Sequence, residues 1–169
     1  MVRQFLAAAA LVLGLAGCST SESATASAQT PAPAQSGAAV HPVSGLRVID
    51  LIVDRGGKRI AFKVEVADTP EAQARGLMFR QTLGDDEGMI FPSDTPEPRS
   101  FWMKNTPLSL DIIFIGPDGR ILNIAANTEP YSLTPVTSQG DASAVLELRA
   151  GRAKALGIVA GDKVSWKVS

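Results

Sequence analysis

The chain has 169 residues and a net charge of -1, with 16 Lys and Arg against 17 Asp and Glu. That is room for one domain and an extra segment, without the basic stripe that nucleic-acid binding requires. The single cysteine, Cys18, excludes an intramolecular disulfide, and outside the folded part it leaves no thiolate metal site or cysteine nucleophile there. The single histidine, His41, falls in a linker, which argues against a Ser-His-Asp hydrolase and a histidine metal centre.

Residues 1–17 read MVRQFLAAAALVLGLAG, with Arg3 ahead of an unbroken apolar run from Phe5 to Ala16. The run is too short for a spanning helix, which needs about 20 residues, and it has the form of an export signal. LAGC follows at Leu15–Cys18. It resembles the lipobox of bacterial lipoproteins, in which the cysteine is acylated and becomes the new N-terminus. Several acyl chains anchor stably where one is marginal. Ser19 stands where a retention aspartate would be, and the resemblance then implies the outer membrane, facing the periplasm. The expected partner is thus the membrane, through the lipid on Cys18.

Residues 19–44 are mostly Ser, Ala, Thr, Pro, Gln and Gly, with Glu22 the only full charge. The segment lacks the large apolar residues that offset ordering entropy. It reads as a tether that spans roughly 30 Å as a flexible coil.

Residues 45–169 read as mainly β. LRVIDLIV and RIAFKVEVA flank Gly56-Gly57 and predict a hairpin. In the second strand Phe62, Val64 and Val66 alternate with Lys63 and Glu65, which predicts one wet face. DTPEAQARG predicts a short helix, capped by Asp68 or Thr69, with Pro70 in the first turn and Gly76 at the exit. LMFRQTLGDDEGMIF reads as irregular. LSLDIIFI and RILNIAA around GPDG form the strongest hairpin signal. Tyr131–Asp141 reads as a loop, AVLELRA as a strand, AGRAKALG as one helical turn and KVSWKVS as a closing strand. The sum is a small β-sandwich or partly closed barrel with one or two short helices.

VEVADTPEAQARGLMFR, DDEGMIF, FWMKNTPLSLDIIFI, the DG turn and LELRAG…LGI…GD occur in this order over about residues 48–168. In these strings the chain resembles the domain of unknown function 192 family. The resemblance implies a small β-sandwich or barrel, often behind an export signal, and implies no established activity.

Asp111 is the charge that needs explaining. Leu108, Leu110, Ile112 and Phe114 form one face of its strand, and the face shared by Asp111, Ile113 and Ile115 is also mostly apolar. A carboxylate there must pair or take a proton. Arg80 is the expected partner, because a guanidinium grips a carboxylate with two bonds, and Lys104 is the alternative. The pair is either a strut between the 77–91 loop and the sheet, or part of a cleft where Arg80, Lys104 and Asn105 converge on Asp111. Trp102 lies opposite Phe101 and Met103. It either stacks on a ligand at the surface or lies under the 131–141 loop.

Three further patterns carry chemistry. Met78, Met89 and Met103 are the thioethers a Cu(I) site would use, but each sits in an apolar run, where methionine fills core gaps. Asp85, Asp86 and Glu87 form an acidic loop rather than a carboxylate pair across a cleft. Glu147 is a strand carboxylate that either pairs with Arg149 or Arg152 or faces the same cleft as Asp111. The preferred reading is a lipid-anchored, non-catalytic binding module for a cell-wall or glycan fragment, with a protein ligand the other option. Its candidate site is Arg80, Trp102, Lys104, Asn105 and Asp111, with no metal and no cofactor. The alternatives are an envelope hydrolase or lyase using Asp111 with Arg80 or Lys104, and a methionine Cu(I) site.

Overall fold

The computed structural model describes residues 39–167. The export pattern, the candidate lipidation site Cys18 and residues 19–38 lie outside the described residues. β1 (Val48–Arg55) and β2 (Lys58–Val66) form the expected hairpin. Its turn uses the left-handed freedom of Gly56 (φ 58°) and Gly57 (φ 90°), and the Asp54 carboxylate accepts from the Gly57 N–H at 2.9 Å. α1 (Pro70–Arg75) begins as its sequence predicts. The Thr69 hydroxyl accepts from the Ala72 N–H, and Pro70 occupies the first turn, where its missing N–H is harmless.

The two longest strands are β3 (Glu87–Phe101) and β6 (Val136–Arg149). β4 (Leu110–Ile115) and β5 (Ile121–Ala125) form the second expected hairpin. α2 (Arg152–Leu156) is the predicted single turn, and β7 (Lys163–Trp166) closes the chain's strand order. Two segments read as irregular are partly strand. β3 starts at Glu87, and β6 starts at Val136, within the expected 131–141 loop. Their outer halves pair through register shifts at Pro92/Glu97 and Pro98/Ser100. Proline cannot donate to a ladder, so this ribbon is broken by bulges and carries no clean alternation to read.

The seven strands form one sheet in the order β5-β4-β6-β3-β2-β1-β7. Every neighbouring pair is antiparallel except β2 and β3. Parallel neighbours require a crossover, and here it is residues 67–86, containing α1. The sheet's two edges meet at one end. Arg120 bridges Lys163, the Ile121 N–H donates to Asp162 O at 2.9 Å, and the Val164 N–H donates to Gly119 O at 2.8 Å. The result is a partly closed barrel.

Closure produces two cores. The inner one gathers Leu51, Val53, Phe62, Val64, Ile113, Ile115 and Leu146 with their neighbours. The second lies on the opposite face of β3, β4 and β6, where Met89, Phe91, Ile112, Phe114 and Val145 pack against Leu77 and Leu83 of the crossover. β4 is buried along its whole length, which explains its continuous apolar run. The crossover also corrects the expected wet face of β2: Lys63 is exposed, but Glu65 is buried. The folded unit starts before the expected residue 45. Among the described residues, Ala39 O accepts from the Val48 N–H at 2.7 Å, and the His41 N–H donates to Leu46 O at 2.8 Å.

Candidate functional site

Asp111 and Arg80 do not form the expected pair. Asp111 is fully buried, and its carboxylate accepts three backbone N–H bonds. Oδ1 takes those of Asn127 (2.9 Å) and Gly151 (3.1 Å), and Oδ2 takes that of Ala153 (2.9 Å). It holds the start of α2 and the turn after β5 together, a cap supplied from a distant strand. Arg80 ion-pairs with Glu65, which also accepts from the Ser44 hydroxyl. Both arms of the guanidinium lie 3.3 Å from the His41 ring nitrogens. His41, expected in a tether, thus packs on a buried ion pair. Asp111 pairs with neither Arg80 nor Lys104 as the hydrolase or lyase reading needs: backbone amides satisfy Asp111, Glu65 holds Arg80, and Lys104 stands over Trp102.

The FWMKN segment ends β3. Phe101 is wedged edge-on between Phe91 and Phe114, with ring centroids 5.1 and 6.2 Å away. Met103 turns inward, where its sulfur accepts from the Thr128 hydroxyl at 3.2 Å. Trp102, between them, faces outward and is 50% exposed. The Lys104 ammonium stands 5.1 Å above the Trp102 ring, a cation–π contact. Asn105 takes a left-handed turn (φ 56°), and its carbonyl accepts from the Phe79 N–H at 2.8 Å. Phe79 is itself left-handed (φ 65°). Lys104 and Asn105 therefore sit beside Trp102, while Arg80 and Asp111 do separate structural work.

Beside Trp102 a cleft of about 300 Å³ opens between the end of α1 and the end of β3. Gly76 brings the two together: a Cβ there would stand 3.3 Å from the Phe91 ring, and the residue is left-handed at φ 48°. Gln73 fixes α1 to β3 by donating to Pro92 O at 2.8 Å. Arg75, Arg99 and Trp102 line the cleft.

The cleft's lining also includes Glu147, which is 5% exposed. In register with it on the two adjoining strands are Met89 and Ile112, both buried and apolar. Its Oε2 has no hydrogen-bond partner among the described residues. Burial pushes the Glu147 carboxyl up from 4.5 to about 8, so it is an uncharged acid at neutral pH. Neither Arg149 nor Arg152 neutralises it. Both are held by the acidic loop, Arg149 by Asp85 at 2.7 Å and Arg152 by Asp86 at 2.6 Å. Nor does Glu147 face a cleft with Asp111. Partners on β6 alternate sides, and Asp111 is registered with Leu148, an inner-core residue.

The model of DUF192, domain of unknown function 192, described as "Uncharacterized ACR", matches residues 51–166. The chain belongs to the DUF192 family. A protein of unknown function from Novosphingobium aromaticivorans DSM 12444 is similar to it in structure. The TM-score is 0.75 at 51% identity, covering 78% of this chain and 94% of that one. A protein from Sinorhizobium meliloti 1021, described as a candidate transcription regulator, is similar with a TM-score of 0.70 at 35% identity, covering 72% and 95%. No curated protein matches.

Within this DUF192 domain, the sequence marks Trp102 and one option for Glu147, but it puts Glu65 on a solvent face and singles out neither Arg75 nor Arg99. The signal for Glu65 was present in VEVA, an acid followed by the crossover; period-2 alternation assigned it to solvent. Two of the methionines, Met89 and Met103, fill the second core, as their apolar settings imply.

Proposed function

We propose that the chain is an exported lipoprotein, anchored through Cys18, whose β domain is a non-catalytic binding module with its ligand in the Glu147 cleft. The observation that carries the cleft assignment is the buried, unpartnered acid among its lining residues. A buried polar atom without a partner is costly, and a bound ligand is the natural acceptor for its proton. The half-exposed Trp102 at the same cleft supplies a stacking surface for a sugar ring, which favours a cell-wall or glycan fragment. Glycoside hydrolysis takes two carboxyl groups across a cleft, and Glu147 is the one acid among this cleft's lining residues; this supports binding over turnover. With a net charge of -1, nucleic acid is not the expected partner.

The test is the melting midpoint of the full-length chain in detergent against peptidoglycan fragments and oligosaccharides. A native-state ligand raises the midpoint, and the rise should vanish in Trp102→Ala. No rise with any glycan, or a rise untouched by Trp102→Ala, rejects this site. For the anchor, Cys18→Ser should move the protein from the membrane to the soluble fraction; retention in the membrane rejects acylation.

A further inference from the structure

The charges around the cleft are one-sided. Its ionisable lining residues are Arg75 from the last turn of α1, Arg99 from β3 and Glu147 from β6. Lys104 stands over the adjoining Trp102 ring. Arg47, Arg80, Arg120, Arg149 and Arg152 each have a carboxylate partner; among the described residues no such ion pair engages Arg75, Arg99 or Lys104 at the cleft, nor Arg55 and Arg59 away from it. Arg99 packs 5.8 Å over the Phe101 ring and reaches Gln73 Oε1 only at 3.4 Å, so most of its donors are unspent. Two arginines without an ion pair among the described residues thus line one small opening, with Lys104 over the Trp102 ring beside it.

Resting on the cleft reading above, we infer that the ligand is a sugar bearing a carboxylate, with the anion held by Arg75, Arg99 and the Glu147 carboxyl and the ring against Trp102. The volume of about 300 Å³ lies at the small end of ligand pockets and suits one ring with a short acidic substituent. A planar guanidinium matches a carboxylate in two bonds. The protonated acid donates one more bond without repelling the anion. Raising the pH through about 8 ionises Glu147 and places a like charge against the ligand. The cations that face the site, Arg75 and Arg99 in the cleft and Lys104 over Trp102, oppose the loss without removing it.

The experiment is calorimetric titration of the full-length chain with two matched pairs of probes. N-acetylmuramic acid and N-acetylglucosamine differ by a lactyl carboxylate; glucuronic acid and glucose differ by oxidation at one carbon. At pH 7 the acids should bind at least roughly tenfold more tightly than their neutral counterparts, the factor one charge-assisted hydrogen bond supplies. Arg75→Gln and Arg99→Gln, with unchanged melting midpoints, should erase most of that advantage. Between pH 7 and pH 9 the acids should weaken by roughly tenfold in the wild type and hold steady in Glu147→Gln. Preference for N-acetylmuramic acid over glucuronic acid assigns the carboxylate to the cell wall, and the reverse assigns it to an acidic polysaccharide. Equal binding of acid and neutral probes, lost in Trp102→Ala, keeps the cleft and overturns the anion. Binding of none of the four overturns both.

Discussion

Replacing Glu147 by Gln removes a buried acid while keeping the shape of the side chain. The folded carboxyl titrates at about 8 and its ordinary value is 4.5. Between these pH values the folded chain retains a proton that the unfolded chain has lost. Stability must therefore fall as pH rises, by about 1.4 kcal/mol per pH unit, and level off above pH 8. The accumulated loss is about 3 kcal/mol at pH 7 and about 5 kcal/mol above pH 8. Glu147→Gln has no such proton, and any fixed effect of its amide is the same at every pH. The stability of the variant minus that of the wild type should thus grow by about 4 kcal/mol between pH 5 and pH 8. Urea denaturation of both proteins at pH 5, 6, 7, 8 and 9 measures it directly. Parallel profiles, diverging by less than about 1 kcal/mol, would show that Glu147 ionises as freely in the fold as in the open chain. The argument for a desolvated acid in the cleft would then collapse.

Asp111→Ala strips three backbone amides of their buried acceptor and should lower stability by on the order of 3–5 kcal/mol; a urea midpoint that implies under 1 kcal/mol refutes its role as a cap for α2. Arg80→Leu leaves Glu65 buried without its cation and should destabilise by about 3–5 kcal/mol, whereas Arg80→Leu with Glu65→Leu should recover much of that loss. A double variant no better than the single one would mean the pair has no shared energetics. Phe79 is left-handed at φ 65° and 60% exposed, so Phe79→Gly should be neutral or stabilising by about 1 kcal/mol. A clear drop in its melting midpoint would reveal packing that the exposed ring does not display.

Local chemistry made much of the fold legible. Gly56-Gly57 and GPDG specify their hairpins through turns that tolerate few other residues. Thr69, Pro70 and Gly76 bound α1, because a helix end must satisfy or omit its free N–H groups. The two apolar faces around Asp111 already required a carboxylate that pairs or takes a proton, and the alternation about Trp102 set it opposite Phe101 and Met103, with the surface one of its two options. Each of these is an interaction within a few residues, which a linear reading can weigh.

Partner choice was decided only in three dimensions. Along the chain Glu65 sits on a solvent face and Asp111 is the expected partner of Arg80, and no local pattern reverses that assignment. The parallel step from β2 to β3 does, because it lays the crossover over Glu65 while β4 carries Asp111 under the start of α2. The same crossover covers the sheet face that carries Glu147, and the acidic loop draws Arg149 and Arg152 away from it. A carboxyl's charge depends on which chains cover it and which cations are already taken. Those are properties of strand order, and strand order is settled by long-range burial that no stretch of sequence records.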